Sequence, residues 1–172
     1  EDTPVAWRGP VVSGIISQFW NEVCWGDIDY LFVDMPPGTS DVFLTVFQSL
    51  PVDGIVTVSA PQELVAMIVG KAVNLAGSVG VPVVGLVENM AYYKCDECGK
   101  EHHIFGEPQG AAVAEKYSIP AVATLPIDPS VAQLCDTGKI EEYAINGALD
   151  PVLEAVEKAF REEAHEEEVA AE

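Results

Sequence analysis

Residues 30–41 read Y-L-F-V-D-M-P-P-G-T-S-D, and the fold turns on how this stretch is read. Tyr30, Leu31, Phe32 and Val33 form a short apolar run with no polar face. That pattern predicts a strand buried on both sides, as in a parallel sheet covered by helices. The run ends in an acid, Asp34, and a tight turn follows through Met35, Pro36, Pro37 and Gly38. The prolines fix φ and remove donors, and the glycine lets the backbone approach a ligand closely. Thr39, Ser40 and Asp41 then offer capping oxygens to a helix carrying Val42, Phe43, Val46, Phe47 and Leu50.

A carboxylate at the carboxyl end of a buried strand sits where open α/β sheets bind ligands. Strand-then-Asp is also how a phosphate-loop NTPase places the acid that holds Mg²⁺. The same pattern fits a plain capped strand–turn–helix, so the flanking chain has to decide. Upstream, V-A-W-R-G-P at 5–10 is a loop, with Trp7 and Arg8 able to cover a site or interface, and a helix follows over about 10–23. Downstream, apolar strands are predicted at 54–59, 83–87 and 121–125, with helices between them at about 63–78 and 108–117. Two further helices are predicted at about 130–137 and 150–163.

Strands alternating with helices of this length give an α/β fold: a doubly wound, mostly parallel sheet flanked by helices. The organisation predicted is one domain over 1–163, a polar insertion at 91–106 and an acidic tail at 164–172. Asp34, Ser59, Asn89 and the turn of Pro126, Ile127 and Asp128 should lie along one rim, which argues for a nucleotide-sized ligand there.

The chain has 172 residues, and 49% are apolar, enough for a real core. No apolar run approaches the ~20 residues that span a bilayer, so no membrane partner is expected. The first residues, Glu1-Asp2-Thr3-Pro4, include no Met and read as the start of a fragment. Acids outnumber bases 28 to 8, for a net charge of −20. Duplex nucleic acid is therefore not expected as a partner, since nothing neutralises phosphates in number. The acidic surface suits a high-salt cytoplasm.

The motifs V-A-W-R-G-P, D-Y-L-F-V-D-M-P-P-G-T-S-D, V-E-N-M, C-D-E-C-G, H-I-F-G-E and L-P-I-D-P occur in this order. Together they resemble the Mrp/ApbC family, MinD/ParA-like P-loop ATPases that carry iron–sulfur clusters. The resemblance runs from Val5 to about Leu153. It implies that Asp34 holds the Mg²⁺ shell and that Gly38 senses the γ-phosphate. It implies that Asn89 bonds adenine, with Pro126 and Asp128 beside the base, and that Cys95 and Cys98 are cluster ligands. Two departures stand out. Ser40 occupies a position where the family usually has Gly. Nothing in the chain resembles the family's glycine-rich phosphate loop, G-K-G-G-V-G-K-[ST], and Lys71, in mid-helix, cannot replace it. The chain thus resembles the family's C-terminal two-thirds, without the N-terminal strand and P-loop, and alone should bind ATP poorly and hydrolyse none.

Cys24 and Cys135 lie in apolar surroundings and read as inert core thiols. Cys95 and Cys98, in C-D-E-C-G, are spaced so that both thiolates can reach one metal. A redox pair would open a helix after a strand, whereas this pair sits in a polar loop. Zinc with His102 and His103 is a second reading, although those histidines follow too closely for the usual finger spacing. A four-iron cluster wants four cysteines, and a twofold dimer supplies four from two copies of one loop. Count and symmetry thus favour a [4Fe–4S] cluster bridging a homodimer, with zinc in the same cage as the chemical competitor.

Two functions follow as expectations. One is an ATP-dependent carrier that passes a cluster to apo iron–sulfur proteins, ATP and Mg²⁺ acting where a phosphate loop is present. The other is a non-enzymatic, zinc-stabilised dimer that binds protein partners.

Overall fold

The computed structural model describes residues 9–36 and 41–170. Residues 5–8 and the turn residues 37–40, Gly38 included, lie outside the described residues. The chain falls into two compact units, Glu1–Val52 and Asp53–Glu172.

In the first unit, helix α1 (Gly9–Glu22) and helix α2 (Asp41–Ser49) pack together, with the Ser13 and Thr45 hydroxyls 2.9 Å apart. Phe43 and Val46 of α2 are buried, and the Phe43 and Phe47 rings stand 4.3 Å apart at a tilt. The helices match the sequence expectation, but the strand between them does not. Residues 30–36 carry no regular secondary structure, and Phe32 is 80% exposed and Tyr30 51%. Among its described residues this unit holds no β-strand. An apolar run becomes a buried strand only with a ladder on its edges and helices on its faces, and among the described residues of this unit no other strand supplies one.

The second unit is built on strand β1 (Ile55–Ser59), helix α3 (Glu63–Ser78) and strand β2 (Val83–Lys94). A two-residue strand β3 (Glu101–His102), helix α4 (Gly110–Tyr117) and strand β4 (Val122–Pro126) follow. Helix α5 (Pro129–Asp136), a 3₁₀ turn (Ile140–Glu142) and helix α6 (Asp150–Ala170) complete it. β2 is central, with β1 and β4 parallel on its two edges.

Two apolar clusters sandwich the sheet. Val84 and Val87 of β2 and Ala123 of β4 meet Val152 and Val156 of α6. Leu86 of β2 meets Val69 of α3 and Val113 and Ala114 of α4. Helices covering both faces of parallel strands are what near-continuous apolar strands require. Gly85 admits α6 to the sheet, since a Cβ there would stand 2.7 Å from Val152 Cγ1.

One element extends well beyond expectation. The third predicted strand does not stop near residue 87 but continues as β2 to Lys94, and pairs antiparallel with β3 through Tyr93–His102 and Lys94–Glu101. The polar insertion is therefore a hairpin drawn out from the central strand.

Candidate functional site

The cysteines occupy the tip of that hairpin. The Cys95 N–H donates to the Lys100 carbonyl at 2.9 Å, and the Gly99 N–H donates to the Cys95 carbonyl at 2.8 Å. Gly99 has φ +70°, a left-handed value that closes the turn and that a side chain would strain. Cys95 is half-buried and Cys98 exposed. The backbone N–H of Cys98, then that of Glu97, then the Cys98 side chain hold the Cys95 thiol below its ordinary pKa, against the opposing influence of partial burial and Asp96. Hydrogen bonds to sulfur favour the thiolate, which is the metal-binding form. Among the described residues, no three His, Cys, Asp or Glu side chains converge on one metal position. His103 Nδ1 is instead 2.6 Å from Glu107 Oε2.

Cys24 and Cys135 are both exposed, which corrects the reading of them as core thiols. Apolar neighbours in sequence do not fix which face of a short helix, or which side of a loop, a side chain takes. Cys135 lies near the end of α5 and Cys24 follows α1.

At the carboxyl end of the parallel strands, β1 finishes at Ser59 beside Glu88 and β4 at Pro126 beside Tyr92. Between Glu88 and Tyr92 the register with β4 shifts, so β2 bulges at its middle. Asn89 lies in that bulge and Met90 takes a left-handed φ of 55°, a strained value for such a side chain. Asn89 Oδ1 accepts the Met90 N–H at 2.9 Å. Its amide nitrogen is left to donate elsewhere.

Asp128 is the N-cap of α5, with Pro129 at the first helical position. Its Oδ1 accepts the Ser130 N–H at 2.8 Å and its Oδ2 accepts the Tyr143 hydroxyl at 2.9 Å. Ser130, by side chain and backbone, and then Tyr143 hold this carboxyl below its usual range, and Asp128 in turn pushes the Tyr143 phenol up. The Ile127 N–H donates to the Tyr92 carbonyl at 2.7 Å, so the turn of Pro126, Ile127 and Asp128 is tied to β2 at one side and to α5 at the other.

Ser59, Asn89 and the Pro126 turn thus share one end of one sheet. Asp34, an exposed residue of the first unit, is described only within that unit. Lys71 lies exposed in mid-α3. Sequence reasoning missed Glu88, Glu107, Gln109 and Tyr143. An acid inside the apolar run V-G-L-V-E was the available signal for Glu88.

A family model described as ParA, the NUBPL iron-transfer P-loop NTPase, matches residues 1–161. The chain belongs to this family. An iron–sulfur cluster carrier protein of Clostridium perfringens is 45% identical over 149 residues, covering 87% of this chain and 52% of that protein. One from Pyrococcus horikoshii is 41% identical over 159 residues, covering 92% of this chain and 54% of that protein. Among solved structures, the nucleotide-binding protein of Archaeoglobus fulgidus, in complex with ADP and with cobalt found in it, superposes with a TM-score of 0.72. It is 44% identical, and the match covers 78% of this chain and 55% of that one. These matches bear out the Mrp/ApbC resemblance and the P-loop NTPase fold. The chain spans about half the length of these relatives. Among the described residues, no helix is long and apolar enough to cross a membrane.

Proposed function

We infer that this chain carries the cluster-binding part of a cytoplasmic iron–sulfur cluster carrier. Cys95 and Cys98 of two copies hold one [4Fe–4S] cluster between them and release it to apo iron–sulfur proteins. The observation that carries this reading is the hairpin tip. It presents two thiols, one held toward thiolate by backbone N–H groups, with no third ligand converging from the described residues of the same chain. Two thiols are half of what a four-iron cluster needs, and a twofold axis supplies the other half. The names of the relatives, iron–sulfur cluster carrier proteins, support the same reading.

Nucleotide acts at the sheet rim in a form of the protein that has a phosphate loop. There Asn89 donates to adenine and the turn of Pro126 and Asp128 lines the base; the family resemblance assigns Asp34 to the Mg²⁺ shell and Gly38 to sensing the γ-phosphate. The ADP complex of the Archaeoglobus fulgidus protein supports a nucleotide at this fold. The chain of 172 residues contains no G-K-G-G-V-G-K stretch to cradle phosphates, so by itself it is expected to bind ATP weakly and to hydrolyse none.

The test is anaerobic reconstitution of the wild type and of four single variants, read by iron and acid-labile sulfide. Cys95→Ser and Cys98→Ser are each expected to lose the cluster, whereas Cys24→Ser and Cys135→Ser keep it. A Cys95/Cys98 double variant that still holds iron and sulfide defeats the reading. Stoichiometric zinc with no iron uptake would favour a zinc-stabilised dimer instead.

A further inference from the structure

Glu88 is a carboxyl set inside an apolar sheet, with 1% of its surface exposed. It pairs with Ser59 of β1 on one side and Thr124 of β4 on the other. Its Oε1 accepts the backbone N–H of Gln109 at 2.7 Å, a bond spanning 21 residues. Gln109 is the N-cap of α4 and makes no side-chain cap of its own. In a capping box, an acid three residues into the helix would take the N-cap N–H. Here that position is Ala112, and the acid comes from the central strand instead. Gly110 makes room for it, since a Cβ at that position would stand 3.0 Å from Glu88 Oε2.

The segment closed by this bond is the cysteine hairpin. Its outgoing limb is β2 itself, running from Asn89 to Lys94, and its return limb reaches Gln109 through residues 103–108. Gln109 Nε2 donates to the Glu107 carbonyl at 3.1 Å, and Glu107 pairs with His103. Both limbs therefore converge on Glu88, next to Asn89. Burying a carboxyl in a sheet is costly unless it is hydrogen-bonded, and its bond here goes to the return limb rather than to a neighbouring strand.

We propose that Glu88 is a positioning residue for the cysteine pair: it clamps the return limb of the hairpin to the central strand and thereby sets how tightly Cys95 and Cys98 hold a metal. This rests on the reading of those two thiols as metal ligands.

The test uses the whole chain with Glu88→Ala, Glu88→Gln and Gly110→Ala. Amide hydrogen exchange of the metal-free chains reads the clamp, and anaerobic titration with Co²⁺ alone, followed by thiolate-to-cobalt charge-transfer absorption, reads the thiols. Glu88→Ala is expected to speed exchange over residues 103–109 and to weaken Co²⁺ binding, each about 10-fold, as loss of a supporting bond behind a metal ligand does. Glu88→Gln keeps an acceptor oxygen and should stay within about 3-fold of wild type. Gly110→Ala keeps Glu88 but crowds it, and should move both readouts in the direction of Glu88→Ala. This variant decides the matter if Glu88→Ala does not fold. Unchanged exchange over residues 103–109 in both Glu88→Ala and Gly110→Ala overturns the proposal, as does Glu88→Gln behaving like Glu88→Ala. Wild type that takes up no Co²⁺ at the thiols overturns the metal reading and the affinity effect with it, and the exchange comparison then decides the clamp alone.

Discussion

Gly85 offers a sharp test of how helix and sheet close on each other. An alanine there places its Cβ 2.7 Å from Val152 Cγ1, 3.3 Å from Cγ2 and 3.5 Å from Cβ. The first distance is well inside contact, and the obstacle is a β-branched side chain with little rotamer freedom. Val152 is itself buried and belongs to the same apolar cluster as Val84, Val87, Ala123 and Val156. The helix must therefore lift or Val152 must leave its rotamer, and overpacking of this kind costs about 1–3 kcal/mol. At a urea slope of roughly 2 kcal/mol per molar, a 2 kcal/mol cost lowers the midpoint by about 1 M. Val152→Ala alone loses two methyls and leaves a space, for roughly 2 kcal/mol. In the double variant the new Cβ enters the vacated space, so the combined loss should fall short of the sum by at least about 1 kcal/mol. Urea unfolding followed by circular dichroism reads all four proteins. A Gly85→Ala midpoint equal to wild type would refute the packing argument, and so would a double variant that loses the full sum.

Alkylation of Cys95 by iodoacetamide, followed by peptide mass spectrometry across pH, should have its midpoint below the ~8.5 of a free thiol, because backbone N–H groups face its sulfur; a midpoint at or above that value contradicts the hairpin geometry. Asp128 has a depressed folded pKa, so its contribution to stability is fully present above the unfolded carboxylate value of about 3.9 and is lost as pH falls through the folded value. Urea midpoints between about pH 5 and pH 2 should therefore fall less steeply in Asp128→Asn than in wild type, and parallel curves would contradict this. In a form with a phosphate loop, Asn89→Ala should weaken ATP binding in calorimetry while Asp34→Ala abolishes hydrolysis; unchanged affinity in Asn89→Ala removes the adenine contact.

Much of the second unit was legible from residue patterns. The runs I-V-T-V-S and A-V-A-T-L are apolar, rich in β-branched residues and bounded by Gly, Pro or Asp, and they form β1 and β4 within a residue or two of expectation. C-D-E-C-G was legible as a tight turn because the glycine that closes it stands in the motif. The course of β2 beyond Asn89 was not. E-N-M looks like a strand end, and only the left-handed backbone at Met90 lets the strand bulge and continue. Nor was the role of Glu88, whose partner lies 21 residues away on a helix start that sequence reading leaves uncapped. The run at 30–33 failed for a different reason: an apolar pattern specifies a buried strand only where a ladder partner exists, and its unit supplies none among the described residues. Cys24 and Cys135 failed because local hydrophobicity does not choose a side of the chain.

The central claim is that one cluster is shared by two copies of the hairpin. The most direct measurement is native mass spectrometry of the anaerobically reconstituted chain. The expected species is a dimer carrying a single four-iron, four-sulfide increment, which reverts to monomer in Cys98→Ser. A monomer that keeps a complete four-iron cluster, or a dimer that carries one cluster per chain, would contradict it.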